Sequence, residues 1–376
     1  MFAATLGPKL NPATGQATAI DKVYAAALRI IVPQGWYFAT TPGTRFVTLG
    51  GAVANDVHGK NHHWAGAFGC SVRRFGLLRS DGVHHEVDGE TGGDLFKATI
   101  GGLGLTGIIT WVEVDLVRVP SGYLTVERIA FANTADFFRL AADSIDGYEH
   151  TVAWIDCANA GSATGRGIFQ RGNWSAQGGL EPHGAKLKAT MPFELPSLTL
   201  NTLSVRAFNA FYWRLQKSGA PITNEHYGAF FYPLDSIGNW NRLYGRRGFY
   251  QYQCVVPPPT AESAVAELLK MISRAGAGSF LAVLKTLGNR RSPGLLSFPR
   301  EGATLALDFP NRGAATLNLL ARLDSIVSEA GGRLYPAKDG RMSARMFRAG
   351  FGSALSKFSS QVDPAVSSDF WRRVAA

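Results

Sequence analysis

The stretch Phe249–Val256, FYQYQCVV, decides how the C-terminal half is read. Side chains alternate across a strand, so Gln251 and Gln253 share one face while Tyr250, Tyr252 and Cys254 share the other. One face is polar and uncharged, suited to gripping hydroxyls. Thr260 reads as the N-cap of a following helix, with Val265, Leu268, Leu269 and Ile272 on one side and Gly276 at its end. SFLAVLKTL (279–287) reads as a second strand, whose Leu281, Val283, Lys285 and Leu287 share a face. ATLALDF (303–309) reads as a third strand. A helix over 314–330, stopped by Gly331 and Gly332, leads to a short strand at 333–336. The order βαβ, then βαβ, predicts a ferredoxin-like arrangement: one antiparallel sheet covered by two helices.

TAIDKVYAAALRIIVPQG (18–35) reads as a helix. Thr18 and Asp21 resemble a capping box, and Ile20, Val23, Tyr24, Ala27, Leu28 and Ile31 form an apolar stripe. Pro33 and Gly35 stop it. Short apolar segments at 72–79 and 83–87 flank an Asp81-Gly82 turn, and TWVEVDLVRV (110–119) alternates as a strand. Residues 160–205, rich in Gly, Pro, Ser and Asn, give no clear reading.

Composition bounds the function. Of 376 residues 46% are hydrophobic and 18% charged, which excludes a disordered polyelectrolyte. Three distant cysteines, Cys70, Cys157 and Cys254, exclude a disulfide scaffold or a four-cysteine zinc site. The net charge of +10 comes without a basic run or a nucleic-acid module, so nucleic acid is not the expected partner. A phosphate-bearing ligand or an anionic membrane surface suits it as well. No apolar run is long enough for a membrane span, and no signal peptide is read. A cytoplasmic or membrane-associated location follows, with the periplasmic face left open.

Glycine is in surplus, 43 residues, and much of it falls in two stretches. In TPGTRFVTLGGAVANDVHGKNHH (41–63), Gly43, Gly50, Gly51 and Gly59 let backbone approach an anion or a flat ring closely. Thr44, Asn55, Asp56, His58, Lys60 and Asn61 lie between them as polar partners. In IGGLGLTGIIT (100–110), Gly102, Gly104 and Gly107 match G-x-G-x-x-G, but a strand follows where a dinucleotide fold needs a helix, so the NAD reading is rejected. His58, His62, His63, His84 and His85 invite a metal, yet the flanking glycines argue against a helix and no H-E-x-x-H exists; no metal is expected. Lys285 on an apolar face and Lys338 after Tyr335 are either surface charges or pocket groups. A lysine beside a flat cofactor stabilises an anionic ring or, desolvated, accepts a proton.

PGTRFVTLGGAVANDVHGKNHHWAGAFG (42–69) resembles the vanillyl-alcohol-oxidase-type flavoproteins, and within them the decaprenylphosphoryl-β-D-ribose 2′-oxidase group. Further resemblance runs through DLFKATIGGLGLTGIIT (94–110), FYPLDSIGNWNRLYG (231–245), FYQYQCVVP (249–257), SFLAVLKTLG (279–288), LSFPREG (296–302), LDFP (307–310), GGRLYPAKDGR (331–341) and QVDPAVSSDFWRR (361–373). It implies an α+β chain: a PCMH-type FAD-binding domain from 1–121 and 333–376, around a substrate domain at 122–332 with a large antiparallel sheet. It implies non-covalent FAD, contacted by Gly43, Thr48, Leu49, Gly50, Gly51, Asn55, Asp56, Val57, His58, Gly59, Asn61, Ile109 and Tyr335. Lys60, Gln253, Lys285 and Lys338 would face the substrate as the catalytic set, Lys338 on the flavin side. Trp154, Gln251, Leu281, Val283 and Ala306 would line the pocket.

The implied reaction oxidises the ribose 2′-hydroxyl of a polyprenylphosphoryl ribose to the ketone. A short-chain-dehydrogenase-type reductase would then give the arabinose epimer for cell-wall arabinan. A sugar-alcohol or lactone oxidase of the same fold is the alternative enzyme. Two departures stand out. Ala306 replaces a cysteine common in the family. The segment resembling R-G-x-G-x-S-Y-G-D, which cradles the FAD pyrophosphate, has no counterpart, so the FAD domain is expected to be N-terminally truncated. A remnant that binds no FAD is the alternative outside enzymes.

Overall fold

The computed structural model describes residues 23–159, 161, 164–184, 189–196, 199–338 and 340–375. Its first part contains α1 (Val23–Ile31), β1 (Trp36–Phe38), α2 (Leu49–Ala54), α3 (His62–Ala65), β2 (Val72–Leu78), β3 (His84–Asp88), α4 (Gly93–Thr99), β4 (Ile108–Val114) and β5 (Leu116–Arg118). Tyr24, Ala27, Leu28 and Ile31 of α1 are buried, as their stripe predicts. The capping box at Thr18 and Asp21 lies outside the described residues. β2 pairs with β3 and β4 in a three-stranded antiparallel sheet, and the segment read at 110–119 divides into β4 and β5.

The second part contains β6 (Tyr123–Phe131), α5 (Thr134–Ala142), β7 (His150–Ile155), β8 (Gly167–Trp174), β9 (Ala189–Thr190), α6 (Thr202–Ser218), β10 (Ile222–His226), α7 (Tyr227–Phe231) and β11 (Ile237–Gly238). It continues with β12 (Phe249–Val256), α8 (Pro258–Arg274), β13 (Ala282–Leu287), β14 (Gly302–Pro310), α9 (Ala314–Glu329) and β15 (Arg333–Leu334), and ends in α10 (Ala344–Ser359) and α11 (Asp369–Ala375). β9 and β11 make a small parallel pair.

Eight antiparallel strands form the large sheet, in the order β10-β6-β8-β7-β13-β14-β12-β15. β12, β13, β14 and β15 take the neighbour order expected from βαβ-βαβ. The same order recurs in β6, β7, β8 and β10, so the sheet is two ferredoxin-like units joined at their β7 and β13 edges. The helix after β12 begins at Pro258 with Pro257 as its N-cap, which corrects the cap read at Thr260. Thr260 instead donates its hydroxyl to the Ala330 carbonyl, 2.8 Å away. Paired strand begins at Ala282 rather than at 279.

The two faces of this sheet differ. On one, Ala153, Phe169, Tyr252, Cys254, Leu284, Leu305 and Leu307 pack against α5, α8, α9 and α10 in the main core. The other face carries the site. A second core, from Tyr24 to Val119, also takes in Leu124, Val126 and Tyr227 to Tyr232, so the N-terminal part packs onto the β6 end of the sheet. The Thr151 amide donates to the Lys60 carbonyl at 2.8 Å, tying the first glycine stretch to β7.

Candidate functional site

Strand register builds the floor. Trp154 on β7 lies opposite Val283 on β13, which lies opposite Ala306 on β14, which lies opposite Gln253 on β12. One pleat further, Lys285 pairs with Thr304; in the other direction Asp308 pairs with Gln251. Because the side-chain period is two, all of these project from the face opposite the main core. Leu281 precedes β13, its amide donating to Ser279 Oγ at 3.1 Å. Trp154 Nε1 donates to the Phe280 carbonyl at 3.0 Å, which fixes the indole at the rim.

The first glycine stretch lies across this floor. Gly59 sits so close to residue 41 that a Cβ would come within 2.8 Å of the Thr41 carbonyl. The bare backbone there delivers His58 and Lys60 to the strands. Lys285 Nζ lies 3.4 Å from His58 Nδ1 and donates to the Gly59 carbonyl at 3.3 Å. The Gln253 amide lies 2.9 Å from His58 Nε2 and 3.0 Å from Thr304 Oγ1. Burial, then the Lys285 charge, holds His58 well below the usual histidine range, so its ring is neutral. A neutral imidazole carries one N–H. Gln253 Nε2, which donates to Thr304, also faces His58 Nε2, so that nitrogen accepts and the ring N–H lies on Nδ1.

A second polar line ends at Lys338. Its ammonium donates to Gln251 Oε1 at 3.1 Å, and Gln251 Nε2 donates to Asp308 Oδ1 at 3.1 Å. An ammonium only donates and a carboxylate only accepts, so the amide between them has a single orientation. Burial pushes Asp308 up to about 6, against the opposing pull of Gln251, Lys338 and Tyr244. The third lysine, Lys60, donates to the Phe230 carbonyl and lies 4.1 Å from that ring's centroid.

Lys285 repels Lys60, and Lys338 repels Lys285. Burial, then Lys285, lowers Lys60 to about 7; burial, then Lys338, lowers Lys285 to about 8. Burial lowers Lys338, with Asp308 pulling the other way. The neighbouring carboxylates acting on them are Asp308 at Lys338 and Glu225 at Lys60. The face therefore keeps excess positive charge in a desolvated setting, which suits an anion.

Tyr335 stacks on Phe298 at 4.4 Å, stands 5.8 Å from the His58 ring and donates its hydroxyl to the Asn55 carbonyl at 2.9 Å, so Asn55, His58 and Tyr335 meet. Asn61 donates to the Ala39 carbonyl at 2.8 Å and holds the same stretch in place. Thr48, Leu49, Gly50 and Gly51 form the start of α2, where Thr48 Oγ1 accepts from the Gly51 amide at 2.8 Å. Ile109 packs on Gly50, where a Cβ would lie 3.2 Å from it. Asp56 turns inward: it accepts from the Gly69 amide at 2.7 Å and from the Ser297 hydroxyl, pinning the 292–298 loop. The Val57 amide donates to the Ala52 carbonyl at 3.1 Å, and Gly43 faces open space.

Thr304, Asp308 and Tyr244 are site groups that the sequence reading did not single out. Among the described residues no group of three His, Cys, Asp or Glu could hold a metal. No helix among them is long and apolar enough to cross a membrane.

No family model matches the chain. Over 342 residues it is 35% identical to the decaprenylphosphoryl-beta-D-ribose oxidase of Mycolicibacterium smegmatis, covering 88% of this chain and 72% of that protein. Over 335 residues it is 31% identical to the Streptomyces coelicolor protein described as an uncharacterized protein in mprA 5'region, covering 85% of this chain and 89% of that one.

Proposed function

Because the chain belongs to the decaprenylphosphoryl-β-D-ribose oxidase family, we propose that it is an oxidoreductase using non-covalent FAD. It oxidises the ribose 2′-hydroxyl of a polyprenylphosphoryl-β-D-ribose to the 2-keto sugar. The observation that carries this reading is the convergence of Lys60, Lys285 and Lys338 on the open face of the sheet beside the first glycine stretch. The residues fit an anionic flat cofactor. The positive charge is in excess, and both ring nitrogens of buried His62, within charge reach of Lys285, have no partner among the described residues.

Bound FAD supplies the acceptor for the hydride that leaves ribose C2. Lys338, fixed by Gln251 and Asp308, and the His58–Asn61 backbone with Tyr335 are the groups assigned to hold it. Lys60 and Lys285 are assigned to the sugar and its phosphate. With values near 7 and 8, part of each is neutral around neutral pH and can take the proton of the 2′-hydroxyl as the carbonyl forms. Gln253, whose NH2 is turned to His58 and Thr304, has its amide oxygen left to accept from a hydroxyl. Trp154, Val283 and Ala306 give the sugar an uncharged floor.

A sugar-alcohol or lactone substrate has no anion for these lysines, which favours the phospholipid-linked sugar. The product ketone is then a substrate for a short-chain-dehydrogenase-type reductase, completing epimerisation to the arabinose donor. The division into a cofactor part (1–121 and 333–376) and a substrate part (122–332) belongs to the same proposal. The test is spectroscopic. The chain passed through a desalting column with FAD should retain the flavin band. Under anaerobic conditions polyprenylphosphoryl ribose should bleach it and xylitol should not. Failure to retain flavin, or bleaching by xylitol alone, would overturn the reading.

A further inference from the structure

The outward side of α6 carries two unlike stripes. Phe208, Phe211 and Leu215 recur at helical spacing and are 47%, 65% and 53% exposed, with Leu203 at the start of the helix 78% exposed. Beside them around the helix lie Arg214 and Lys217, three residues and so about one turn apart. The 17 residues of α6 include three cations, Arg206, Arg214 and Lys217, and no acid. Arg206 is committed to the Ala158 carbonyl at 3.0 Å, and Lys217 lies 4.9 Å from the Trp213 ring centroid. The inward side is fixed: Asn209 donates to Asp156 Oδ1 at 2.9 Å and to the Ser279 carbonyl at 3.2 Å. The exposed stripes therefore do not depend on a loosely held helix.

This helix adjoins the site. Tyr212 stands edge-on to Trp154 with ring centroids 4.8 Å apart, and Phe208 packs on Phe280 at 5.8 Å. Aromatic surface thus runs without a break from the sugar floor at Trp154 to the exposed stripe.

We propose that the outward face of α6 docks on an anionic lipid bilayer, with Phe208, Phe211 and Leu215 entering the acyl boundary and Arg214 and Lys217 meeting the headgroups. An apolar stripe flanked by cations is the pattern of a helix lying in the interface plane. A second copy of the chain fits less well, because a two-fold pairing of α6 would set two acid-free basic stripes together. The docking rests on the proposed lipid-linked substrate for its purpose: it places the Trp154 end of the site at the surface from which the polyprenyl chain comes.

The full chain is sedimented with phosphatidylcholine vesicles, with and without phosphatidylglycerol, in the absence of cofactor and substrate. It should pellet with the anionic vesicles, less so as salt rises. Phe211→Asp with Leu215→Asp should abolish pelleting, and Arg214→Glu with Lys217→Glu should weaken it about tenfold. In F211W the emission should shift to the blue on anionic vesicles and be quenched by brominated acyl chains. This keeps the proposal testable if the double aspartate variant misfolds. Wild type left in the supernatant, aspartate variants that bind like wild type, or an unquenched F211W would overturn it. So would a dimer of the free chain that F211D/L215D dissolves, since the stripe would then belong to a second copy. Because no flavin or sugar is read, a negative result here leaves the oxidase reading to its own test.

Discussion

At the scale of single residues, the site depends on Lys338 and the amide that holds it. Gln251 joins Lys338 to Asp308 in one orientation, so the Asp308 charge supports the Lys338 charge. Asp308→Asn should remove that support and lower the Lys338 pKa, making it acylate faster at a fixed neutral pH. Rates of acylation by an anhydride, followed by peptide mass spectrometry across pH, check this; an unchanged midpoint would break the proposed link. Lys285→Met removes a positive neighbour from His58 and Lys60. It should raise the pKa of each and weaken binding of polyprenylphosphoryl ribose about tenfold while FAD is retained, read from the substrate concentration that half-bleaches the bound flavin. Much of this was legible locally: alternation alone put Gln251 and Gln253 on one face and Val283 and Lys285 on one face. Asp308 was within the same reach, since period two through TLALDF groups it with Thr304 and Ala306. What no local pattern carries is the register that sets Asp308 against Gln251 and brings His58 between Gln253 and Lys285.

At the scale of elements, the sheet is a duplication of which the sequence revealed one half. β12 to β15 are marked by alternating apolar runs and by the glycines that end the helices between them. In the other half, β8 is interrupted by glycines, and α6 has aromatic residues on its outward side that blur the buried stripe. Its fixed points, Asn209 on Asp156 and Thr202 on the Gly276 carbonyl, are long-range contacts. The Thr260 cap failed for a local reason: Pro258 and Pro259 already have the fixed φ of a first helical turn and start the helix earlier. The two halves meet where Trp154 and Ala153 oppose Val283 and Leu284. Leu284 is fully buried there. Leu284→Ala should cost about 3 kcal/mol in urea unfolding, whereas Phe211→Ala on the exposed side of α6 should change stability little. Equal losses would contradict the assignment of faces.

At the scale of the whole molecule, the surplus of positive charge on the site face has a cost without a ligand. Lys60 and Lys285 hold protons less tightly in the fold, at about 7 and about 8, than in the unfolded chain, at 10.5. The unfolded state therefore binds more protons between about pH 7 and pH 10, and stability of the ligand-free chain should rise with pH through that window. The rise should flatten in a Lys60→Met, Lys285→Met variant and on adding FAD; urea midpoints across pH measure it. A slope that survives in the variant would place its origin elsewhere. The net charge of +10 is of the sign that the proposed cofactor, lipid-linked substrate and bilayer call for. The most direct test of the central claim is one turnover of FAD-loaded chain with polyprenylphosphoryl ribose deuterated at C2, without oxygen. Stoichiometric bleaching is expected, with a 2-keto product that has lost the deuterium. Retained flavin that stays oxidised, with the deuterated sugar recovered intact, would contradict it.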